Sequence, residues 1–563
     1  MSKVSIALLS VGVSKCLSAS SSAGSSPASV ASTGHLALRP AQGPQHPGGT
    51  SAHEYRVAVN VQHPKAGLSP AERCLRAGAV NAGRDVVTVT GRKDDLDQVR
   101  VNAGCEDGLR RGWAGNGHHV DLVTAGEEAL DLLLRIGRQA DDARWHRRSG
   151  YQVCHAVEVT SPPLRGIRVL EVGNYMAGPF CGMQLADLGA EVIKIEPPDG
   201  GDMVRLTGPF IDGESSPFVR LNRNKRSIAL DLKAKDGKRI FKQLVETADI
   251  VVENLRPGTM KDLGLDYHGV LMALNPRLIY VAASGWGQDG PLSQLPGLDI
   301  MAQAQGGLMS ITGEPGGNPV KVGVPVCDLA CALYGALAAV SALRARDESG
   351  EGQYIDVSLF EAGVSLAVWE AGRYFATGEI PAALGSAHQS HAPYQAVRAH
   401  DGYFTIGATT KRNWEAFCRV LGLDRLVADE RFVDVNERHR NRGELIPLIE
   451  AVTQAEPKAH WIGVLREAGV PCAPIQNYEE VFNDAHLTAR TFFWDAPHPK
   501  LGKVRQLGSP MRFSKSKARL ERAGPLFGED TEAILMDLGY SSQEIAGLMD
   551  GGVVKGSRQW TRQ

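Results

Sequence analysis

Residues 164–198 read LRGIRVLEVGNYMAGPFCGMQLADLGAEVIKIEPP. IRVLEVG is a short apolar run with strand composition, NYMAGP carries turn residues, and FCGMQLADLGA has helical spacing. EVIKIE is a second apolar run, stopped by Pro197 and Pro198. A strand–helix–strand unit of this length joins two parallel strands. The pattern recurs downstream as SIALDLK, DGKRIFKQLVETA and DIVVENL, and LIYVAASGWG adds another strand ending in glycine. Alternating strands and helices predict an α/β sheet with helices on both faces. In such sheets ligands gather at the carboxyl ends of the strands. Those ends are NYMAGP, EPPDGGDMVR, NLRPG and SGWGQDGP. They combine glycines, which let a backbone approach a ligand, with Arg205 and Arg256, which suit phosphates. No GxGxxG or GxxxxGK[ST] sits at a strand–helix turn in this region, so the fingerprints of dinucleotide and P-loop binding are missing.

Outside this region the chain changes character. Of residues 11–50, 25 are Ser, Ala, Gly or Pro, a composition that cannot build a core. Residues 1–53 are therefore expected to be low-complexity and disordered. Residues 54–160 form an uncharacterised, largely irregular extension, with a strand expected at VVTVTG and a short amphipathic helix at 126–136. His118 and His119 are adjacent and point apart, which suits a solvated loop better than a metal site. The N-terminus lacks acidic residues, as a mitochondrial presequence does, but has no arginine before Arg39. A cytoplasmic location is the expectation, with a mitochondrial one as the alternative. The formal net charge of −2 argues against a general nucleic-acid binder. The nine cysteines show no CxxC pair or metal-ligand spacing and are expected to be reduced. No apolar run reaches the roughly 20 residues that span a bilayer, so 329–343 is expected to be a core helix and no membrane partner is implied.

The central motif is PVKVGVPVCDLACALYGALAAVSAL, residues 319–343. VKVGVPV reads as a short strand running into Asp328, with a helix of small residues after it. An aspartate at that junction can be an N-cap. The same position holds a carboxylate ionised and oriented by the free N–H groups and the helix dipole, as a nucleophile requires. Both readings stand on the residues alone.

The ordered run of motifs resembles CoA-transferase family III from residue 164 to about 554. It comprises the stretch quoted first, NRNKRSIALDLK, DIVVENLRPG, LNPRLIY, SGWGQDGP, GLMSITG, GVPVCDLACALYGALAA, GQYIDVSLFEA, GSAHQSHAPYQAV, DGYFTIGA, GVPCAPIQN, PHPKLG and GSPMRFS. Within that family it is most similar to the succinate–hydroxymethylglutarate CoA-transferase group. The resemblance implies a Rossmann-like large domain over 161–384, a smaller α/β domain over 385–490, a C-terminal segment over 491–563 that returns to the large domain, and an interlocked homodimer. It implies Asp328 as the nucleophile, passing through aspartyl anhydride and aspartyl-CoA thioester states, with no permanently bound cofactor and coenzyme A as substrate. The family's CoA contacts fall on Met176 and Ala177, on Leu230, Asp231, Leu232 and Lys233, on Asn254, Leu255 and Arg256, and on Ser284, Gly285, Trp286 and Gly287. Pro197 and Asp262 stand where the family has arginines. His388 and His391 could touch the acyl substrate or position a loop.

Two rival functions remain. A racemase of the same fold needs acid and base groups beside the reacting carbon, and the family's racemases place a histidine where Gly297-Leu298-Asp299 has leucine. A non-catalytic CoA-binding scaffold would have no need of an aspartate at 328.

Overall fold

The computed structural model describes residues 161–557 and, upstream, three strands: β1 (Tyr55–Val59), β2 (Asp85–Arg92) and β3 (Asp95–Cys105). The upstream unit is an antiparallel meander in the order β1-β2-β3. The strand expected at VVTVTG lies within β2. The helix expected at 126–136 and the histidine pair fall outside the described residues.

The second unit is built on a seven-stranded sheet. Its parallel strands are β4 (Arg168–Val172), β5 (Glu191–Glu196), β6 (Lys225–Leu230), β7 (Ile250–Glu253), β8 (Ile279–Ser284) and β9 (Tyr354–Ser358). Their spatial order is β9-β8-β7-β4-β5-β6, and Val554–Lys555 closes the β6 edge in antiparallel fashion. Alternate residues of each strand face opposite cores, as the two-residue period requires. Leu170, Ile193, Ile228 and Val251 pack on helix α2 (Lys235–Glu246) through Ile240, Phe241 and Leu244. Val169, Val192, Ile250 and Val281 pack on helix α1 (Ala177–Asp187) through Cys181 and Leu185. Burial on both faces is why these strands read as unbroken apolar runs. The chain builds outward through β4, β5 and β6, then crosses back to lay β7 beside β4. That reversal opens a crevice beyond the ends of β4 and β7, where such folds bind ligands.

Three helices follow: α3 (Asp299–Gln305), α4 (Val326–Ser349) and α5 (Leu359–Ser365). Two expectations are corrected here. VKVGVPV is not a strand: the Val322 N–H donates to the Gln303 side chain at 2.9 Å instead of to a neighbouring strand. Asp328 is the third residue of α4, not its N-cap, because the helix already begins at Val326, just after Pro325. Helix α4 also runs past the apolar stretch seen in the sequence. Its 24 residues are long and apolar enough to cross a membrane by length and composition. Ala332, Ala336, Ala339 and Ala342 nevertheless pack in the core against β7 and β8.

Farther along, β10 (Tyr394–Ala399), β11 (Gly402–Gly407) and β12 (Cys472–Pro474) form a small antiparallel sheet. It has its own core of Val397, Phe404, Trp414, Phe417, Leu445 and Leu465. The C-terminal helices Thr531–Asp537 and Ser542–Asp550 bring Ile534, Leu535, Ile545 and Leu548 back to the core that holds α2.

Fully buried charges tie β4, β5 and β6 together. The Lys194 ammonium lies 2.7 Å from Glu171 Oε1 and 2.8 Å from Asp202 Oδ2, and donates to the Gly173 carbonyl at 2.9 Å. The Lys225 ammonium lies 2.6 Å from Glu171 Oε2 and donates to Pro179 O and Asn222 Oδ1, each at 2.7 Å. Gly182 faces this carboxylate so closely that an added Cβ would sit 2.1 Å from Glu171 Oε2. Removing one partner of a buried ion pair leaves the other uncompensated. Lys194→Met is therefore expected to destabilise the protein by about 3–5 kcal/mol, read as a lowered urea midpoint.

Candidate active site

The crevice is fixed by two loops that grip each other. After β4, the Asn174 N–H donates to Asn254 Oδ1 at 2.8 Å; after β7, Asn254 Nδ2 donates back to the Asn174 carbonyl at 2.8 Å. Gly178 makes the close approach possible, since a Cβ there would lie 2.7 Å from Asn254 Oδ1. Asn174 Oδ1 accepts from the N–H groups of Tyr175 and Met203, each at 3.0 Å. Buried Asp202 accepts from Tyr175 N–H at 3.2 Å and Val204 N–H at 3.0 Å. These bonds hold Tyr175 at φ 64°, a left-handed conformation that costs a side-chain-bearing residue energy.

After β8 a second close crossing occurs. Gly285 and Gly297 meet backbone to backbone, and a Cβ on either would lie 2.7 Å from the other's Cα. This brings the start of α3 to the crevice. There Asp299 takes over part of the capping role expected of Asp328: its Oδ1 accepts from the Cys327 N–H at 2.9 Å. Asp299 Oδ2 accepts from Gln303 Nε2 at 2.7 Å. Cys327 itself is buried and away from chemistry; burial first, then Asp299 and Asp328, push its thiol up to about 12.

Together these elements enclose a cavity of about 650 Å³. Its wall carries Met176, Ala177, Asn254, Arg256, Ser284, Gly285 and Asp328, seven positions singled out from the sequence. Asp328 is half-buried. Burial first, and the neighbouring Asp299 carboxylate second, push its carboxyl up to about 7. A carboxylate so placed is poorly hydrated and lacks a stabilising cation, so its ionised form is reactive.

The other candidates lie elsewhere. Trp286 packs near Phe360 and donates to the Pro296 carbonyl, and Gly287 N–H donates to Ser284 Oγ, so both brace the crossing loop. Leu255 packs against the α2 core and its N–H donates to buried Glu253. Leu230 is buried in β6, where a strand alternation carries it into the core. Asp231 and Leu232 do not reach the cavity wall. Lys233 lines a separate basic concavity of about 520 Å³ with Lys235, Lys238, Arg239 and Lys242. Arg205 is not available to phosphates, because its guanidinium is buried and doubly bonded to Glu196. His388 and His391 face each other, Nδ1 to Nδ1 at 3.3 Å, with Ser390 Oγ 2.9 Å from His391 and Trp369 beside both rings. Neither histidine lines the cavity. Sequence reading passed over Tyr175, Lys321 and Leu359 on the cavity wall and Gln303 behind it. Local pattern carried no signal for these, since each is placed by a contact distant in sequence.

Comparison with known proteins shows what the chain is similar to. The sequence profile of CoA-transferase family III matches residues 164–531. The chain is 37% identical over 395 residues to a succinyl-CoA:glutarate CoA-transferase of Mus musculus, covering 70% of this chain and 90% of that protein. It is 36% identical over 384 residues to a succinate–glutarate CoA-transferase of Agrobacterium fabrum, covering 67% and 96%. A crystal structure of a CAIB/BAIF family protein from Brucella suis superposes with a TM-score of 0.61 at 36% identity, covering 67% of this chain and all of that one.

The raised Asp328 carboxyl has a consequence for stability. The folded protein holds its proton more tightly than the unfolded chain, so the fold is penalised as pH rises from about 4 through about 7, and fully above that. Asp328→Asn removes the penalty. It is expected to be more stable than the parent by about 1–2 kcal/mol at pH 8, after discounting for solvent screening, and equal to it near pH 4, as measured by urea unfolding at the two pH values.

Proposed function

The chain belongs to CoA-transferase family III and is a transferase, and from that premise we propose that it moves coenzyme A from a dicarboxylic acyl-CoA such as succinyl-CoA to a carboxylic acid, with Asp328 as the covalent relay. The observation that carries this is the position of Asp328: in the first turn of α4, on the wall of the cavity beside the switch point, with no ion pair among the described residues. The names of the relatives support the donor and the dicarboxylic class, since several are succinyl-CoA transferases acting on glutarate, citramalate or mesaconate.

The chemistry balances without an added reagent. Asp328 attacks the thioester carbonyl, the carbon–sulfur bond breaks, and CoA leaves as its thiolate, giving a mixed anhydride. The thiolate then attacks the aspartyl carbonyl and releases the donor acid, leaving an aspartyl-CoA thioester. The acceptor carboxylate attacks that thioester and the thiolate leaves again. Finally the thiolate attacks the acceptor carbonyl, releasing the new acyl-CoA and the Asp328 carboxylate. Nucleophilic relay of this kind splits a difficult exchange into easier steps. Developing negative charge on each carbonyl oxygen is best met by N–H groups or cations placed in advance.

Leu298 lies on the cavity wall immediately before Asp299 and cannot carry a proton, which removes support from the racemase reading. A homodimer is part of the proposal. Leu337, Val368, Phe375 and Ile380 are each more than 60% exposed, and a partner that covered them would bury apolar surface. A second copy of this chain is the proposed cover, read as twice the chain mass by light scattering.

Because only the ionised aspartate attacks, kcat/KM for succinyl-CoA should rise with pH through about 7 on a one-proton limb. Asp299→Asn, which removes the neighbouring negative charge, should move that limb to lower pH. Mass spectrometry of protein mixed with succinyl-CoA should find CoA attached to the peptide holding Asp328, and none in Asp328→Asn. A flat profile together with full activity in the variant would sink the role given to Asp328.

A further inference from the structure

The cavity carries two acids, Asp299 and Asp328, and two cations, Arg256 and Lys321. Arg256 follows β7 and already has a reading as a CoA contact. Lys321 has none. It lies in the irregular segment before α4 and is exposed. Its ammonium makes a single local hydrogen bond, to the Val322 carbonyl at 3.1 Å. It has no ion pair among the described residues, although the sheet beside it holds several fully buried ones.

Its placement is not loose. Val322 N–H donates to Gln303 Oε1 at 2.9 Å, and Gln303 Nε2 donates to Asp299 Oδ2 at 2.7 Å. Asp299 Oδ1 in turn accepts from Cys327 N–H at 2.9 Å. One continuous set of three hydrogen bonds therefore links the residue after Lys321 to the residue before Asp328. Gln303 is fully buried, so the set is shielded from competing water. The same pair of side chains holds the backbone next to Lys321 and the start of the helix that bears the aspartate.

We propose that Lys321 binds the distal carboxylate of a dicarboxylic acyl group or acceptor while its other end is at Asp328, and so selects diacids over monoacids. This rests on CoA transfer taking place at this cavity. A diacid brings a second negative charge into a space that already holds two carboxyl groups, and a cation must offset it for binding to be favourable. A lysine suits the task because its compact charge on a flexible stem follows carboxylates at different chain lengths, where a rigid guanidinium fork favours one geometry.

The test is a competition between acceptors for one enzyme–CoA intermediate. The full chain would be loaded from succinyl-CoA and offered glutarate and butyrate together, and the ratio of glutaryl-CoA to butyryl-CoA formed would be measured. That ratio does not depend on how much enzyme is folded or on the rate of loading. The wild type should favour glutarate. In Lys321→Met the ratio should fall about 10- to 100-fold, the scale of one charge-assisted hydrogen bond, and Lys321→Arg should recover most of it. An unchanged ratio in Lys321→Met, or a wild type that does not prefer the diacid, would overturn the role of Lys321 and leave CoA transfer standing. A wild type that forms neither product would remove both readings.

Discussion

The Lys194 ammonium has no contact with water and must find all its partners inside the protein. It has Glu171 from β4, Asp202 from the loop after β5, and the Gly173 carbonyl at the end of β4. Burial pulls its pKa down, but Asp202, Glu171 and Glu196 outweigh burial and hold it well above the ordinary lysine value. An ammonium so surrounded stays charged and cannot be moved without stranding Asp202 and leaving Glu171 to Lys225 alone. Its demands run outward. Asp202, held on one side by Lys194, accepts the Tyr175 and Val204 N–H groups on the other. Tyr175 adjoins Asn174, and Asn174 grips Asn254 across the switch point. The cavity floor is thus an extension of a charge network whose centre lies beneath the sheet ends.

The electrostatics of the cavity run the opposite way. Around Lys194 each charge is matched; around Asp328 the nearest strong influence is another carboxylate. Asp299 cannot be dispensed with, because it satisfies the Cys327 N–H at the start of α4 and anchors Gln303. The group that orders the helix start is therefore also the group that makes the neighbouring aspartate costly to ionise. That cost is borne by stability, as strain and like charge at a crevice commonly are.

How much of this the sequence revealed follows from which forces act locally. The strands β4 to β8 were legible because burial on both faces leaves unbroken apolar runs, as in Ile250–Glu253 and Ile279–Ser284. Six of the chosen residues meet on one cavity wall because strand ends in this fold converge at one edge, and Asp328 joins them from the first turn of α4. VKVGVPV failed for a reason alternation cannot detect: its N–H at Val322 is taken by a glutamine side chain from another helix. Asp328 failed as an N-cap because Asp299, 29 residues upstream, bonds the Cys327 N–H. Arg205 looked like a phosphate ligand in a glycine-rich turn, yet its guanidinium serves Glu196 and stacks over Phe218 at 3.6 Å. In each case a long-range polar contact decided the outcome, and such contacts leave no period in the sequence.

The strain at Tyr175 shows why the network beneath the sheet has to be so firmly made. A tyrosine with φ 64° returns to the β or α region unless its backbone is pinned. Two acceptors pin it, Asn174 Oδ1 and Asp202 Oδ1, and both are themselves fixed, by Met203 N–H and by Lys194. The exposed ring is thereby directed to the cavity wall. Glycine would reach this backbone more cheaply, but would give the cavity no wall at that point. Keeping a side chain there requires the strain, and holding the strain requires Asp202 to stay where Lys194 holds it. Loss of the buried ammonium would therefore be felt first in the loop that shapes the cavity, before the sheet itself gives way.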